Sequence, residues 1–490
     1  ELNPLRSELA FLNAGLVPPK KGVHCELGFG QGVSVNLHAV ASGSTWYATD
    51  FNPSQASFAQ ELADISGAQL HLFDESFAQF CCREALPQFD SIGLHGIWSW
   101  ISDENRAIIV DFIRRKLKVG GVLYISYNTQ PGWAAMVPLR DLLTEHAQVM
   151  AAPGRGIVHR IDHALEFADK LMASNPAFAR VNPQVPERLK RLKEQNRNYL
   201  AHEYFNHDWL PMPFSRMAQW LEATKVSYAC SAHYLDHIDA LNLSPEQMAV
   251  LGDIPDEQFR QTVRDFCVNQ QFRKDYWVKG ARTLNAVEQL DAIRASRVVL
   301  VMPRGDVSLK ATGGLGEATM QESVYAPILD VLADHRVRTI GEIEQAVASH
   351  TNFAQLLQAV MVLIGNGSLY NAQDSDTVEH VKEQCHTLNH TIIEKARGSA
   401  DINYLASPVT GGGITVGRFQ QLFLISYLQG SHNTQQWAEF VWGILSSRGQ
   451  RIVKEGQTLE SAQDNLVELQ RQADEFLTKY LPILHALHVI

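Results

Sequence analysis

Near the start of the chain, Glu26-Leu27-Gly28-Phe29-Gly30-Gln31-Gly32 lies between a short apolar run and a helical pattern, where a loop can cradle a ligand. Glycines at such a turn let the backbone take positive φ and pass close to a bound molecule. Dinucleotide enzymes place a glycine loop at the same turn, so the loop by itself does not name the ligand. Spacing separates the cases. The glycines run G-x-G-x-G, and Val33 stands where the dinucleotide pattern wants its third glycine. Glu26, two residues before the first glycine, is placed to face a cationic methionine end, directly or through water. Glu26, Gly28, Gly30 and Gly32 together favour a sulfonium cofactor, S-adenosylmethionine, over a pyrophosphate.

Two further carboxylates fit the same ligand. Asp50 closes the next β-rich run, 18 residues after Gly32, where it can accept both ribose hydroxyls, with Phe51 beside it. Its structural alternative is a turn-capping Asp before Asn52-Pro53. Asp74 ends the third run ahead of Ser76-Phe77 and suits the adenine amino group, with Phe77 or a neighbour over the ring; the alternative is an N-cap for the next helix.

The methyl acceptor should meet the next two strand ends, since ligands of open α/β sheets bind outside the carboxyl ends of strands. These ends carry His95-Gly96-Ile97-Trp98-Ser99-Trp100 and Ser126-Tyr127-Asn128-Thr129-Gln130-Pro131-Gly132-Trp133. His95 also borders the cofactor. Methyl transfer is an in-line displacement for which the enzyme chiefly positions the nucleophile, and it requires no metal. A lysine amine is protonated at neutral pH, and freeing it costs about 4.6 kcal/mol at pH ~7. An aromatic pocket lowers that cost by desolvation and attracts the methylammonium product. Tyr127 is the preferred proton acceptor or substrate orienter, with His95 and Trp133 as the other catalytic candidates. Simple packing of the sheet end by Trp98, Trp100 and Trp133 is the competing account. Adenine methylation is disfavoured, because the Asn-Pro-Pro-Tyr stretch of many nucleotide and glutamine N-methyltransferases is missing after the fourth strand.

These residues need a scaffold that brings strand ends to one edge. Residues 22–127 alternate β-rich runs and helical patterns in the rhythm of a doubly wound α/β sheet. Five strands are expected at Val23 to Leu27, Thr45 to Thr49, Gln69 to Phe73, Asp90 to Leu94 and Val122 to Ser126. A seven-stranded Rossmann-like core over 1–150 is expected to be completed by strands near 225–233 and 297–303. A charged helical insertion or regulatory domain should fill 151–305, and Arg304 to Gln321 suggests a linker or mobile loop. Residues 320–395 have a winged-helix-like pattern, and 396–490 a helical one.

Composition narrows the partners. A net charge of -11 argues against a polyanion-binding surface, so nucleic acid is not expected. Six scattered cysteines suit a reducing cytoplasm, and no apolar run reaches the ~18 residues that span a bilayer. A homodimer is an open possibility.

The chain resembles the bacterial methyltransferases with an attached regulatory domain, whose characterised members look like the rickettsial-type protein lysine methyltransferases. The matching pieces are Glu1 to Arg6, Cys25 to Gly32, Asp50 to Pro53, Leu94 to Ser99, Tyr127 to Trp133, Phe272-Arg273 and Leu405 to Pro408. Phe29 replaces the more usual Cys of the family loop. The resemblance implies a Rossmann-like core, a middle regulatory domain, a winged-helix-like C-terminal part and N-methylation of protein lysines, with S-adenosylhomocysteine as the second product. A metabolite methyltransferase whose extra domains serve oligomerisation is the alternative.

Overall fold

The computed structural model describes residues 1–150, 154 and 156–490. Helix α1 (Pro4–Asn13) is capped by Asn3, whose side chain accepts from the Leu5 amide, and it precedes the main sheet. The sheet then alternates with helices: β1 (Val23–Leu27), α2 (Val33–Ser42), β2 (Thr45–Thr49), α3 (Pro53–Ser66), β3 (Leu70–Phe73), α4 (Phe77–Cys81), β4 (Phe89–Leu94), α5 (Asp103–Lys116) and β5 (Leu117–Asn128). Local chemistry sets several boundaries. Asn52 caps α3 with Pro53 in its first turn, and Ser76 with Gln79 forms a capping box on α4.

After a long helical insertion, β6 (Val226–Ser231) and β7 (Phe272–Lys279) complete seven strands in the order β3-β2-β1-β4-β5-β7-β6. The pairs from β3 to β5 are parallel, while β7 runs antiparallel to both β5 and β6. Both faces are covered. Tyr124 and Tyr276 share a core with Leu9 and Phe11 of α1. Ile125, Tyr127 and Trp277 pack with Phe112 and Ile113 of α5 and with Phe214.

One expected strand belongs elsewhere. The run at 297–303 supplies β8 (Arg297–Leu300), which sits in the middle of a separate three-stranded sheet. Its partners are β11 (Arg338–Thr339) and β12 (Leu369–Asn371), both antiparallel to it. An apolar run announces burial but not which sheet buries it. The place in the main sheet is taken by β7, whose Arg273-Lys274-Asp275 segment disguises a buried strand. The expected linker at 304–321 holds a hairpin, β9 (Lys310–Gly313) with β10 (Gly316–Thr319).

The helical insertion has its own core around Trp133, Leu139, Leu165, Leu189 and Tyr204. Downstream, three helices, Glu322–Val331, Ile340–Val347 and Phe353–Gly365, pack beside the three-stranded sheet, and the chain then enters the 21-residue helix Ser375–Lys395. The C-terminal helices share one continuous core with Leu37, Val40 and Leu62 of α2 and α3. Glycines at 411–413 press against Leu5, Leu37 and His38, so this end of the chain is packed onto the sheet's helices. Among the described residues, no helix is long and apolar enough to cross a membrane.

Candidate cofactor and methyl-acceptor site

Gly28, Gly30 and Gly32 all adopt left-handed backbone, with φ of 76, 59 and 70°. Their surroundings differ. A Cβ on Gly28 would run into Ile97, and one on Gly32 into Ala59, whereas nothing lies within 4 Å of the corresponding position on Gly30. Two of the glycines therefore let the loop pack down, and the third leaves open space above it. The Gly30 amide donates to Asp50 Oδ2 at 2.9 Å, and the Asn52 amide donates to Oδ1 at 2.9 Å. Each Asp50 oxygen keeps a second lone pair for further donors. Phe51 next to it is 77% exposed.

Glu26, the penultimate residue of β1, lies just before this loop and is buried. Both its oxygens accept from Ser34 Oγ, at 2.8 and 3.0 Å. Burial pushes its carboxyl up to about 7, with Ser34 pulling the other way. A cation placed here would reclaim the charge that burial suppresses. Ser34, in the first turn of α2, joins the site beyond the residues expected from the sequence; its signal is a hydroxyl two residues past the last glycine.

Asp74 is exposed and does not cap α4; Ser76 does, so the capping alternative fails. The Ser76 amide donates to Gln79 Oε1 at 3.1 Å, which leaves it committed to the helix end. Phe77 and Ile97 flank Gly28. His95 is exposed at the end of β4, its Nδ1 2.8 Å from Tyr124 Oη. Although the residue keeps an accessible edge, the protein packed around the ring strips part of its solvation and holds the imidazole below its ordinary range. Ser126 Oγ accepts from the Gly96 amide at 2.8 Å and ties the β4 and β5 ends together.

Tyr127 and Trp133 are found in different surroundings from those expected. Tyr127 is fully buried, and its hydroxyl donates to Asp275 Oδ2 at 2.8 Å. Burial, with Asp275 next to it, drives the phenol well above its ordinary range. Asp275 in turn accepts from Arg273 Nε at 2.9 Å, and Arg273 Nη1 reaches Asp265 at 2.6 Å. Tyr127 is thus a member of a buried charged network and not a free proton acceptor at the open edge. Trp133 packs edge-on against Tyr204 and Trp209, with Arg188 over its face at 4.2 Å. Trp98 is fully buried against Trp220. Alternation explains this for Tyr127: in β5 the residues facing His95 are Tyr124 and Ser126, one step out of phase with it.

The strand order with one antiparallel strand, the glycine turn after β1 and the acidic residue after β2 define the class I methyltransferase fold. Residues 196–279 match the family model described as "Predicted methyltransferase regulatory domain". Uncharacterized protein sll1526 of Synechocystis is 40% identical over 495 residues, covering 100% of this chain and 96% of that protein. Uncharacterized protein RP789 of Rickettsia prowazekii is 21% identical over 424 residues, covering 81% and 74%. The structure of PKMT2 from Rickettsia typhi in complex with AdoHcy superposes with a TM-score of 0.68 at 16% identity, over 99% of this chain and 98% of that one. The chain belongs to the S-adenosylmethionine-dependent methyltransferases that carry this regulatory domain.

Proposed function

We propose that the chain transfers a methyl group from S-adenosylmethionine to lysine side chains of proteins. The observation that carries this reading is an open edge over a prepared floor. Phe51, next to Asp50, and His95, at the end of β4, are both exposed, nothing lies within 4 Å of the position a Cβ on Gly30 would take, and Glu26 is buried near the end of the neighbouring strand. Such an opening accommodates a side chain presented by a large substrate. The likeness to the Rickettsia typhi protein, which binds AdoHcy, supports the cofactor assignment.

In this reading Glu26 faces the cationic methionine end, Asp50 holds the ribose hydroxyls, and Gly28, Gly30 and Gly32 allow the close approach. Phe51, Phe77 and Ile97 border the adenine, and Asp74 offers its amino group an acceptor; Ser76 serves this edge by capping α4. When bound, S-adenosylmethionine supplies an electrophilic methyl for direct in-line transfer, leaving S-adenosylhomocysteine. The protein's part is to free the amine of its proton. With Tyr124 accepting from Nδ1–H, His95 presents the Nε2 lone pair, and its lowered basicity keeps it neutral at pH ~7. The ammonium proton passes to Nε2 or to water, and the neutral nitrogen is then the nucleophile.

Incubating the protein and labelled cofactor with a bacterial lysate tests the assignment. Label in protein, recovered as methyllysine after hydrolysis, is expected. Label confined to metabolites would assign the chain to small-molecule methylation instead.

A further inference from the structure

The segment 196–279 forms an open-mouthed cavity of about 460 Å³ beside β6 and β7, lined entirely by residues 228–275. Its lining carries both signs of charge over an apolar wall. Glu257 and Arg260 lie one turn apart on the helix Glu257–Cys267, a spacing at which Glu and Arg ordinarily pair. Here they do not. Among the described residues Glu257 has no hydrogen-bond or ion-pair partner, and Arg260 donates only to the Ile254 carbonyl, at 3.2 Å. Arg264 donates to the Asp236 carbonyl at 2.8 Å and comes no nearer than 4.0 Å to Asp239. Leu243, Met248 and Leu251 supply the apolar wall.

The inner end is different in kind. Arg273 is buried, and its Nε, Nη1 and Nη2 each donate to a neighbouring side chain, Asp275, Asp265 and Gln261, so it is held by the sheet and not offered to a ligand. The available groups are therefore two guanidiniums, two carboxylates and an apolar wall. That combination matches a free α-amino acid better than a purely anionic or cationic ligand.

We propose that this cavity binds a free α-amino acid with an apolar side chain. The carboxylate sits on Arg260 and Arg264, the ammonium between Glu257 and Asp239, and the side chain against Leu243, Met248 and Leu251. The site is placed to report on the core: Asp275 borders the cavity and accepts from Tyr127 of β5, the strand that ends beside His95. The assignment is independent of which amine is methylated.

Calorimetry on the full chain with L-leucine as probe tests it. Saturable binding is expected, with no binding of leucine methyl ester modified at the carboxylate or of N-acetyl-leucine, which lacks the ammonium. Glu257→Gln and Arg260→Ala should each weaken binding at least about tenfold, as expected for losing a charge-assisted hydrogen bond. Both positions lie at the surface of their helix, and unchanged melting temperatures without ligand show that each variant folds. Absence of saturable binding up to about 10 mM, which leaves a binding free energy weaker than ~2.7 kcal/mol, would overturn the proposal. So would equal binding of N-acetyl-leucine, or unaltered affinity in both variants.

Discussion

The two ends of the main sheet use polar residues in opposite ways. At the β1–β2 end, Glu26 and Asp50 are each held by one or two donors and keep lone pairs to spare. At the β5–β7 end, Tyr127, Asp275, Arg273 and Asp265 are held mainly by one another. Spare capacity marks groups available to a ligand, whereas reciprocal pairing marks groups that stabilise the sheet. Residue type alone would give both ends to chemistry.

The strongest way to break this comparison is at Arg273. If the network is structural, Arg273→Ala leaves two buried carboxylates without their cation and should cost about 3–5 kcal/mol of stability. Urea unfolding measures it. A stable variant that has lost turnover would move the network into the catalytic machinery.

Glu26 tests the other end through pH. Its folded value of about 7 lies above the ordinary 4.5, so the folded state binds the proton more tightly than the unfolded one. Stability is then fully present below pH 4.5 and is lost as pH rises through 7, by up to ~3 kcal/mol at 1.36 kcal/mol per unit. Glu26→Gln should remove this loss, so that the variant gains on wild type between pH 5 and 8 in chemical denaturation. Cofactor affinity of the wild type should rise over the same interval, because the methionine ammonium prefers the carboxylate, and should stay flat in the variant. A pH-independent difference would show that Glu26 does not titrate in this window.

Asp50 should give a smaller effect confined to the cofactor. Asp50→Ala is expected to weaken S-adenosylmethionine binding by about 1.5–3 kcal/mol in calorimetry, from lost hydrogen bonds to a charged group. Unchanged affinity would reduce Asp50 to a brace for Gly30 and Asn52.

What was legible in the sequence follows the same division. The glycine loop, Glu26 and Asp50 belong to one β-α-β stretch, so spacing along the chain translates directly into proximity. The partners of Tyr127 could not be read this way, because Asp275 is 148 residues away and meets it only once β7 enters the sheet. Strand β7 was hidden for a related reason. Arg273 and Asp275 are buried because they neutralise each other, a pairing that a hydrophobicity pattern records as surface. Val298 to Leu300 misled in the opposite sense, since their burial is real but occurs against the downstream helices. Tyr124, which faces His95, is three residues before Tyr127, and strand alternation separates the two only once the faces of the sheet are known.

Tyr127→Phe gives the smallest and most discriminating effect. The ring remains packed among Ile125, Trp277 and Phe214, and Asp275 keeps its bond to Arg273. Only one hydroxyl is lost, for which about 1 kcal/mol of stability is expected. Turnover, corrected for the folded fraction, should stay within about twofold, a barrier change under ~0.5 kcal/mol. His95→Ala serves as the contrast, because it should lower turnover while leaving stability nearly unchanged at its exposed position. If instead Tyr127→Phe lowered turnover tenfold or more at undiminished stability, the phenol would be acting on the methyl acceptor through a conformation in which it leaves Asp275. The two ends of the sheet would then both be functional, and spare hydrogen-bonding capacity would no longer separate them.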